Sequence, residues 1–313
     1  MHLKVTFRSS RKSELMNMKV NEAAEEFILE QRIRGNSPAT IEYYTFVLKY
    51  FIDYAGDIET SDVTLTLCKN YCLSLMESDV RSITVQSYVR GARAFLKWLY
   101  DNELIEQDIC VKFKLPKATK KVIEVLSAEE IKRVFDAITG DTWLAMRNRV
   151  IVALMLDSGL RRHEVISLKL PSVNLSDRYI VVERGKGDKQ RVVPFGERTA
   201  ELMEQYLTAT SFCNKRDPLI IKESNDKKSY EAVTNVTIKQ LFRKLKARSG
   251  VSKLRPHILR HTFATYYLEN GGNIYTLQSI LGHTSLEMVK RYLHLANSRI
   301  RRDFPKYSPL DNL

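Results

Sequence analysis

Between Arg255 and Asn297 the chain gathers side chains of types that can bind an anion. Pro256 suits the first position of a helix, and His257, Arg260 and His261, three and four residues apart, then share one helical face. Two imidazoles and a guanidinium, three groups that can bind an anion, would then point one way. Gly271 and Gly272 end that helix, a second short helix is expected over 274–281, and Gly282-His283 turns the chain into a third. Thr284 with Glu287 reads as a capping box, so Tyr292 falls well inside the third helix. Leu277, Ile280, Leu281, Leu286 and Val289 give the last two helices apolar faces, a pattern that also fits a helix-turn-helix-like pair serving only to bind.

The whole chain carries a matching charge. Lys and Arg outnumber Asp and Glu by 50 to 37 in 313 residues, a net charge of +13 that favours a polyanionic partner. The joint spacing of these residues resembles the C-terminal motif of the tyrosine recombinases, which include phage and transposon integrases and the Xer recombinases. That motif is His-x-x-Arg, then Leu-Gly-His, then Tyr nine residues after the His, and here it reads His257 to Arg260, Leu281-Gly282-His283 and Tyr292. The resemblance demands an arginine and a lysine upstream. Both are present, Arg161 in Gly159-Leu160-Arg161-Arg162-His163-Glu164 and Lys186 in Gly185-Lys186-Gly187-Asp188-Lys189.

The resemblance implies a site-specific DNA recombinase with Arg161, Lys186, His257, Arg260, His283 and Tyr292 as its catalytic set. Tyr292 would attack a phosphodiester in line, forming a 3′-phosphotyrosine and releasing a 5′ hydroxyl. Arg161 and Arg260 would fork onto the phosphate oxygens where charge builds, and Lys186 would protonate the departing 5′ oxygen. A phenol is a weak nucleophile until a base or cations help it; His257 is the better candidate for that base and His283 for a hydrogen bond to the phosphate. His261 competes with His257 on geometry, and only the family pattern selects between them; Lys189 competes in the same way with Lys186. Arg255 stands where the family often has a hydroxyl cap, so the local cap is weaker or differently made.

The elements that must position this set are mostly helices. Over 20–104 the periodicity predicts four, at about 20–34, 38–54, 64–77 and 83–101, with Ser37-Pro38 starting the second. In the fourth, Val85, Tyr88, Val89, Ala92, Phe95 and Leu99 form an apolar stripe, while Arg90, Arg93 and Lys97 form a basic one able to track DNA phosphates. A linker over 111–121 carries five lysines and a proline, Lys117, Lys120 and Lys121 among its candidate DNA contacts. Ser127 with Glu130 then caps a helix, and the mostly apolar stretch Trp143 to Leu156 predicts a central one that stops at Ser158-Gly159 just before Arg161. Arg161 could simply pair with Glu164 or Asp157. Residues 179–183 and 191–195 are rich in β-branched and aromatic residues and flank the Lys186 loop, which predicts a hairpin. Helices follow at about 197–209 and 234–248, the latter carrying the candidate DNA contacts Lys239 and Arg243.

The expected fold is therefore mainly α with a small β-hairpin or sheet, in two domains. Residues 1–17 are expected to be a loosely ordered N-terminus, 18–110 a helical, SAM-like core-binding domain, 111–121 the linker, 122–298 the catalytic domain and 299–313 a tail. The tail could dock on a neighbouring subunit, since the resemblance implies a homotetramer synapsing two duplexes of double-stranded DNA. Cys68, Cys72, Cys110 and Cys213 are too few and scattered for a disulfide framework, and no His or second Cys pair joins Cys68 and Cys72 to make a zinc site. No metal, ATP or other cofactor is expected, because cations of the chain do the electrostatic work and no phosphate loop is present. No apolar run suits a membrane or a signal peptide, so a cytoplasmic, nucleoid-associated protein is expected. No additional arm-binding domain is evident at the N-terminus, which favours an Xer-like organisation.

Overall fold

The computed structural model describes residues 18–117, 123–183, 190–211, 218–224, 229–283 and 285–293. The expected N-terminus, Lys120, Lys121, Lys186, Lys189, Cys213, the Thr284 cap and the tail lie outside the described residues. The chain divides into two compact units, Met1–Lys121 and Val122–Leu313.

The first unit holds helices α1 (Val20–Ile33), α2 (Pro38–Ala55), α3 (Leu65–Glu77) and α4 (Ser82–Asp101). Their starts follow local chemistry. The Ser37 hydroxyl accepts the Thr40 N–H, with Pro38 at the first position of α2, and Thr64 does the same for Leu67 in α3. The apolar stripe of α4 is buried as expected, and Phe95 and Trp98 meet Phe27 of α1 edge-on at 5.7 and 5.8 Å. Gly91 lets α2 approach α4, since a Cβ there would lie 2.5 Å from Val47 Cγ1. Cys68 is buried in this core, and burial pushes its thiol up to about 12.

The second unit begins with α5 (Ala128–Asp136), capped reciprocally by Ser127 and Glu130. The central helix α6 (Trp143–Asp157) buries Val150 to Met155 without a break, having no polar face to give to water. After it come α7 (Arg162–Ser167) and the strands β1 (Val173–Asn174), β2 (Tyr179–Val182) and β3 (Arg191–Pro194). These form one antiparallel sheet in the order β1-β2-β3, with Ile180 opposite both Val173 and Val193. Helix α8 (Glu197–Ala209), a hairpin of β4 (Ile221–Glu223) and β5 (Tyr230–Ala232), and α9 (Asn235–Ser249) follow. The last described elements are α10 (Pro256–Glu269), α11 (Ile274–Leu281) and α12 (Glu287–Leu293). Strands β1, β4 and β5 span only two or three residues, too short to show periodicity in sequence. Helix α6 packs against α8 and α10. Asp157, at its end, accepts hydrogen bonds of 2.7 Å from the Gly196 N–H and the Thr199 hydroxyl, which commits that carboxylate to the start of α8.

Candidate active site

Arg161 owes its place to the turn that ends α6. Gly159 sits in the left-handed region at φ +61°, and a Cβ there would fall 2.5 Å from the Phe263 ring, so the turn needs a glycine for both its conformation and its packing. Arg161 follows as the residue before α7. Its backbone N–H donates to Glu164 Oε2 at 2.7 Å and its Nη1 to Oε1 at 3.0 Å. Of the two acids that could pair with Arg161, the structure thus selects Glu164.

Glu164 also receives Arg191 Nη2 at 2.9 Å. Burial alone would raise its pKa, but the Arg191 hydrogen bond and charge, then the Arg161 backbone N–H and guanidinium, overcome that and hold it down to about 2. Arg191 was not legible as part of the site except as a strand residue. Its Nε donates to the Ile280 carbonyl at 2.8 Å, at the end of α11.

Arg260 is the knot of the site. It is 4% exposed, and donates to the Gly159 carbonyl at 2.5 Å, to the Leu281 carbonyl at 2.7 Å and to His283 Nε2 at 2.9 Å. Burial, then the nearby Arg161 charge, pushes its pKa down to about 10, so it stays cationic at neutral pH. A guanidinium only donates, so His283 Nε2 must accept and the ring proton belongs on Nδ1. Gly282, left-handed at φ +62°, ends α11 and turns the chain to His283, whose carbonyl is held by Gln278 Nε2.

Tyr292 is 1% exposed and packs with Val289, Ala264, Leu268, Leu277 and Leu281. Its hydroxyl lies 2.7 Å from His261 Nδ1. The imidazole on the phenol is therefore that of His261, whereas the family pattern selected His257. His257 sits on the open side of α10, and its pKa is lowered by partial desolvation of the ring and then by the charges of Arg260, Arg162, Arg161 and Arg255. Arg255 makes no side-chain cap for α10, as its sequence position suggested; it pairs with Glu124 at 3.0 Å. The apolar residues that fit a helix-turn-helix-like pair instead build the site's floor, with Leu277, Ile280, Leu281 and Val289 all buried.

The structure thus brings together Arg161, Arg260, His283 and Tyr292, joined by Glu164, Arg191 and His261. A cleft of about 570 Å³ opens beside them, lined by Arg161, His163, Glu164, Lys169, Arg191 and Gly282. Of the candidate DNA contacts, Arg90, Lys117, Lys239 and Arg243 are exposed. Lys97 is engaged by Asp101 at 2.9 Å and Asp108 at 3.2 Å, and Arg93 by the Phe113 carbonyl. Among the described residues no three His, Cys, Asp or Glu side chains gather as a metal site, and no helix is long and apolar enough to cross a membrane.

Residues 124–299 match the phage integrase family. The chain is 29% identical over 300 residues to tyrosine recombinase XerD of Halalkalibacterium halodurans, covering 93% of this chain and 98% of that one. It is 30% identical over 283 residues to tyrosine recombinase XerC of Bacillus pumilus, covering 88% and 90%. Its fold is similar to that of the crystal structure of XerA recombinase, with a TM-score of 0.51, 26% identity and coverage of 92% and 99%. It is also similar to the Tn1549 transposon integrase in complex with transposon right end DNA, with a TM-score of 0.72, 18% identity and coverage of 91% and 99%. With the motif residues assembled around Arg260 and the match spanning the site, the chain belongs to the phage integrase family and is a tyrosine recombinase of the Xer type.

Proposed function

We propose that this recombinase cuts and rejoins double-stranded DNA at a specific site through Tyr292, by way of a 3′-phosphotyrosine and without metal or ATP. The observation that carries the reading is Arg260. It ties the Gly159 turn, and with it Arg161, to His283, while its neighbour His261 holds the Tyr292 hydroxyl. In the reaction the Tyr292 oxygen bonds to phosphorus and the bond from phosphorus to the 5′ oxygen breaks. The phenol proton passes to a base and the 5′ oxygen takes one from Lys186. Arg161, Arg260 and His283 neutralise the charge gathering on the non-bridging oxygens. The covalent ester conserves the energy of the broken bond, so the reverse attack by another strand's 5′ hydroxyl needs no nucleotide.

A nucleophile that is 1% exposed cannot meet a phosphodiester without movement of α12, so His261 holds a resting state. His257, neutral at pH 7 and open to solvent, is the base we assign to the attacking state. The exposed Arg90, Lys117, Lys239 and Arg243 supply phosphate contacts, together with Lys120 and Lys121. The active form is a homotetramer on two synapsed duplexes in the cytoplasm, with 299–313 docking onto a neighbouring subunit. The outcome is integration, excision, inversion or resolution according to the arrangement of the sites. The target is obtained by selecting bound duplexes from a random-sequence pool. On that duplex, Tyr292→Phe should bind like the unaltered chain and cleave nothing; cleavage by a folded Tyr292→Phe chain would remove Tyr292 as the nucleophile.

A further inference from the structure

We infer that Arg191 is a positioning residue for strand cleavage: it supplies the permanent counter-charge of Glu164 and so leaves the charge of Arg161 available to the scissile phosphate. The inference rests on the recombinase reading above. Three groups carry it. The Glu164 carboxylate, 7% exposed, faces the Arg161 guanidinium at 3.0 Å and the Arg191 guanidinium at 2.9 Å. The Arg161 side chain is 26% exposed and that of Arg191 only 6%. One buried acid is thus shared by two cations, of which one opens to solvent.

The charges decide the consequence. Two guanidiniums and one carboxylate leave a net charge of +1, and that charge is presented on Arg161, the accessible member. Without Arg191 the remaining Arg161–Glu164 pair is neutral, and a carboxylate drawing on Arg161 alone competes directly with a phosphate for the same N–H groups.

The placement of Arg191 argues against simple packing. Its Nη1 is buried and makes no hydrogen bond among the described residues. Leaving such a donor unsatisfied is costly, and an apolar side chain would fill the volume without that cost. What an apolar side chain lacks is the charge that meets Glu164 and the N–H that meets Ile280. Arg191 also fastens the Ile280 carbonyl, two residues before Gly282, so the group that balances Glu164 also holds the approach to His283.

The sequence around β3 fits this reading. Arg191 and Val193 face the core while Val192 and Pro194 face outward, so Arg191 is a charge set on the buried face of a strand. It lies five residues after Lys186.

The test is single-turnover cleavage of the selected duplex by the full chain and by Arg191→Met, Arg191→Lys and the double variant Arg191→Met with Glu164→Gln. A glutamine at 164 still accepts the Arg161 backbone N–H but draws no charge from its guanidinium. Arg191→Met should lower the cleavage rate about 100-fold, the scale set by loss of one preorganised charge-stabilising donor. The double variant should recover at least about tenfold of that loss, because removing the acid restores the net charge. Arg191→Lys, which keeps the charge and loses the Ile280 bond, should retain most of the rate. No recovery in a double variant that melts cooperatively and binds the duplex would overturn the proposal. Should Arg191→Met not fold, Arg191→Lys decides: a folded lysine variant slowed about 100-fold would equally overturn it, since the charge would then not be what matters. If the unaltered chain forms no Tyr292 adduct in the same assay, the recombinase reading itself fails, a result separate from either of these.

Discussion

The hydroxyl of Tyr292 lies 2.7 Å from Nδ1 of His261, while the adjacent Arg260 spends its guanidinium on Gly159, Leu281 and His283. Neighbouring residues of one helix thus serve two parts of the site. Arg260 ties the Gly159 turn to Leu281 and His283, and His261 holds the buried Tyr292 hydroxyl.

The two imidazoles of α10 should separate in a cleavage assay. His257→Ala should lower the single-turnover rate by about 10² to 10⁴, the range for loss of a general base. His261→Ala should cost much less, and should make Tyr292 more reactive toward a phenol-nitrating reagent. Equal losses in the two variants would merge the roles.

The pH profile carries a sign. A base works when deprotonated, and the ring of His257 has its pKa lowered from 6.5 by desolvation and the surrounding guanidiniums. The rate should be level through neutral pH and fall only below 6.5, with that limb absent in His257→Ala. An inflection above 7 that His257→Ala removes would contradict the assignment.

Glu164 should make the second unit acid-sensitive. Its carboxyl is held down to about 2 against the ordinary 4.5 of a glutamate, so the unfolded chain binds the extra proton between those values. The stabilisation is complete above pH 4.5 and is lost as pH falls toward 2. The difference of 2.5, at 1.36 kcal/mol for each pKa unit, is on the order of 3 kcal/mol. Thermal melts of the unaltered chain and Glu164→Gln should therefore converge across that window. Parallel melting curves would show that the pair contributes nothing net.

Gly159→Ala should strain the turn and drive a methyl group into Phe263, displacing Arg161 and the carbonyl that Arg260 holds. A stability loss of about 2 to 4 kcal/mol is expected from the positive φ and the overpacking together. Cleavage should fall by more than DNA binding does.

The sequence was most informative where a single residue type has one physical use. Ser37-Pro38 and Ser127 with Glu130 named helix starts to within a residue, and the unbroken apolar run from Val150 to Met155 named the central helix. Arg260 and His283 were legible through the spacing of the family motif, and the helix and the Gly282 turn fix where those side chains go. The partnership of Arg191 with Glu164 was harder to see. Its signal was the alternation of Arg191 with Val193 and Phe195, which sets an arginine on a buried face, but nothing in a single strand says which acid meets it. The choice between His261 and His257 was hidden for a related reason. Spacing put His261 on the same face as His257, and only the tertiary packing of α12 decided which ring meets Tyr292. The sequence showed Lys97 as a candidate phosphate contact but not that Asp101 and Asp108 both pair with it.

The measurement that tests the central claim most directly uses the selected duplex nicked a few bases from the cleavage point, incubated with the full chain in EDTA. The product is then denatured and digested for mass spectrometry. A 3′-phosphate ester on Tyr292 is the result the account predicts. Confirmed binding of that duplex with no adduct on Tyr292 would contradict it.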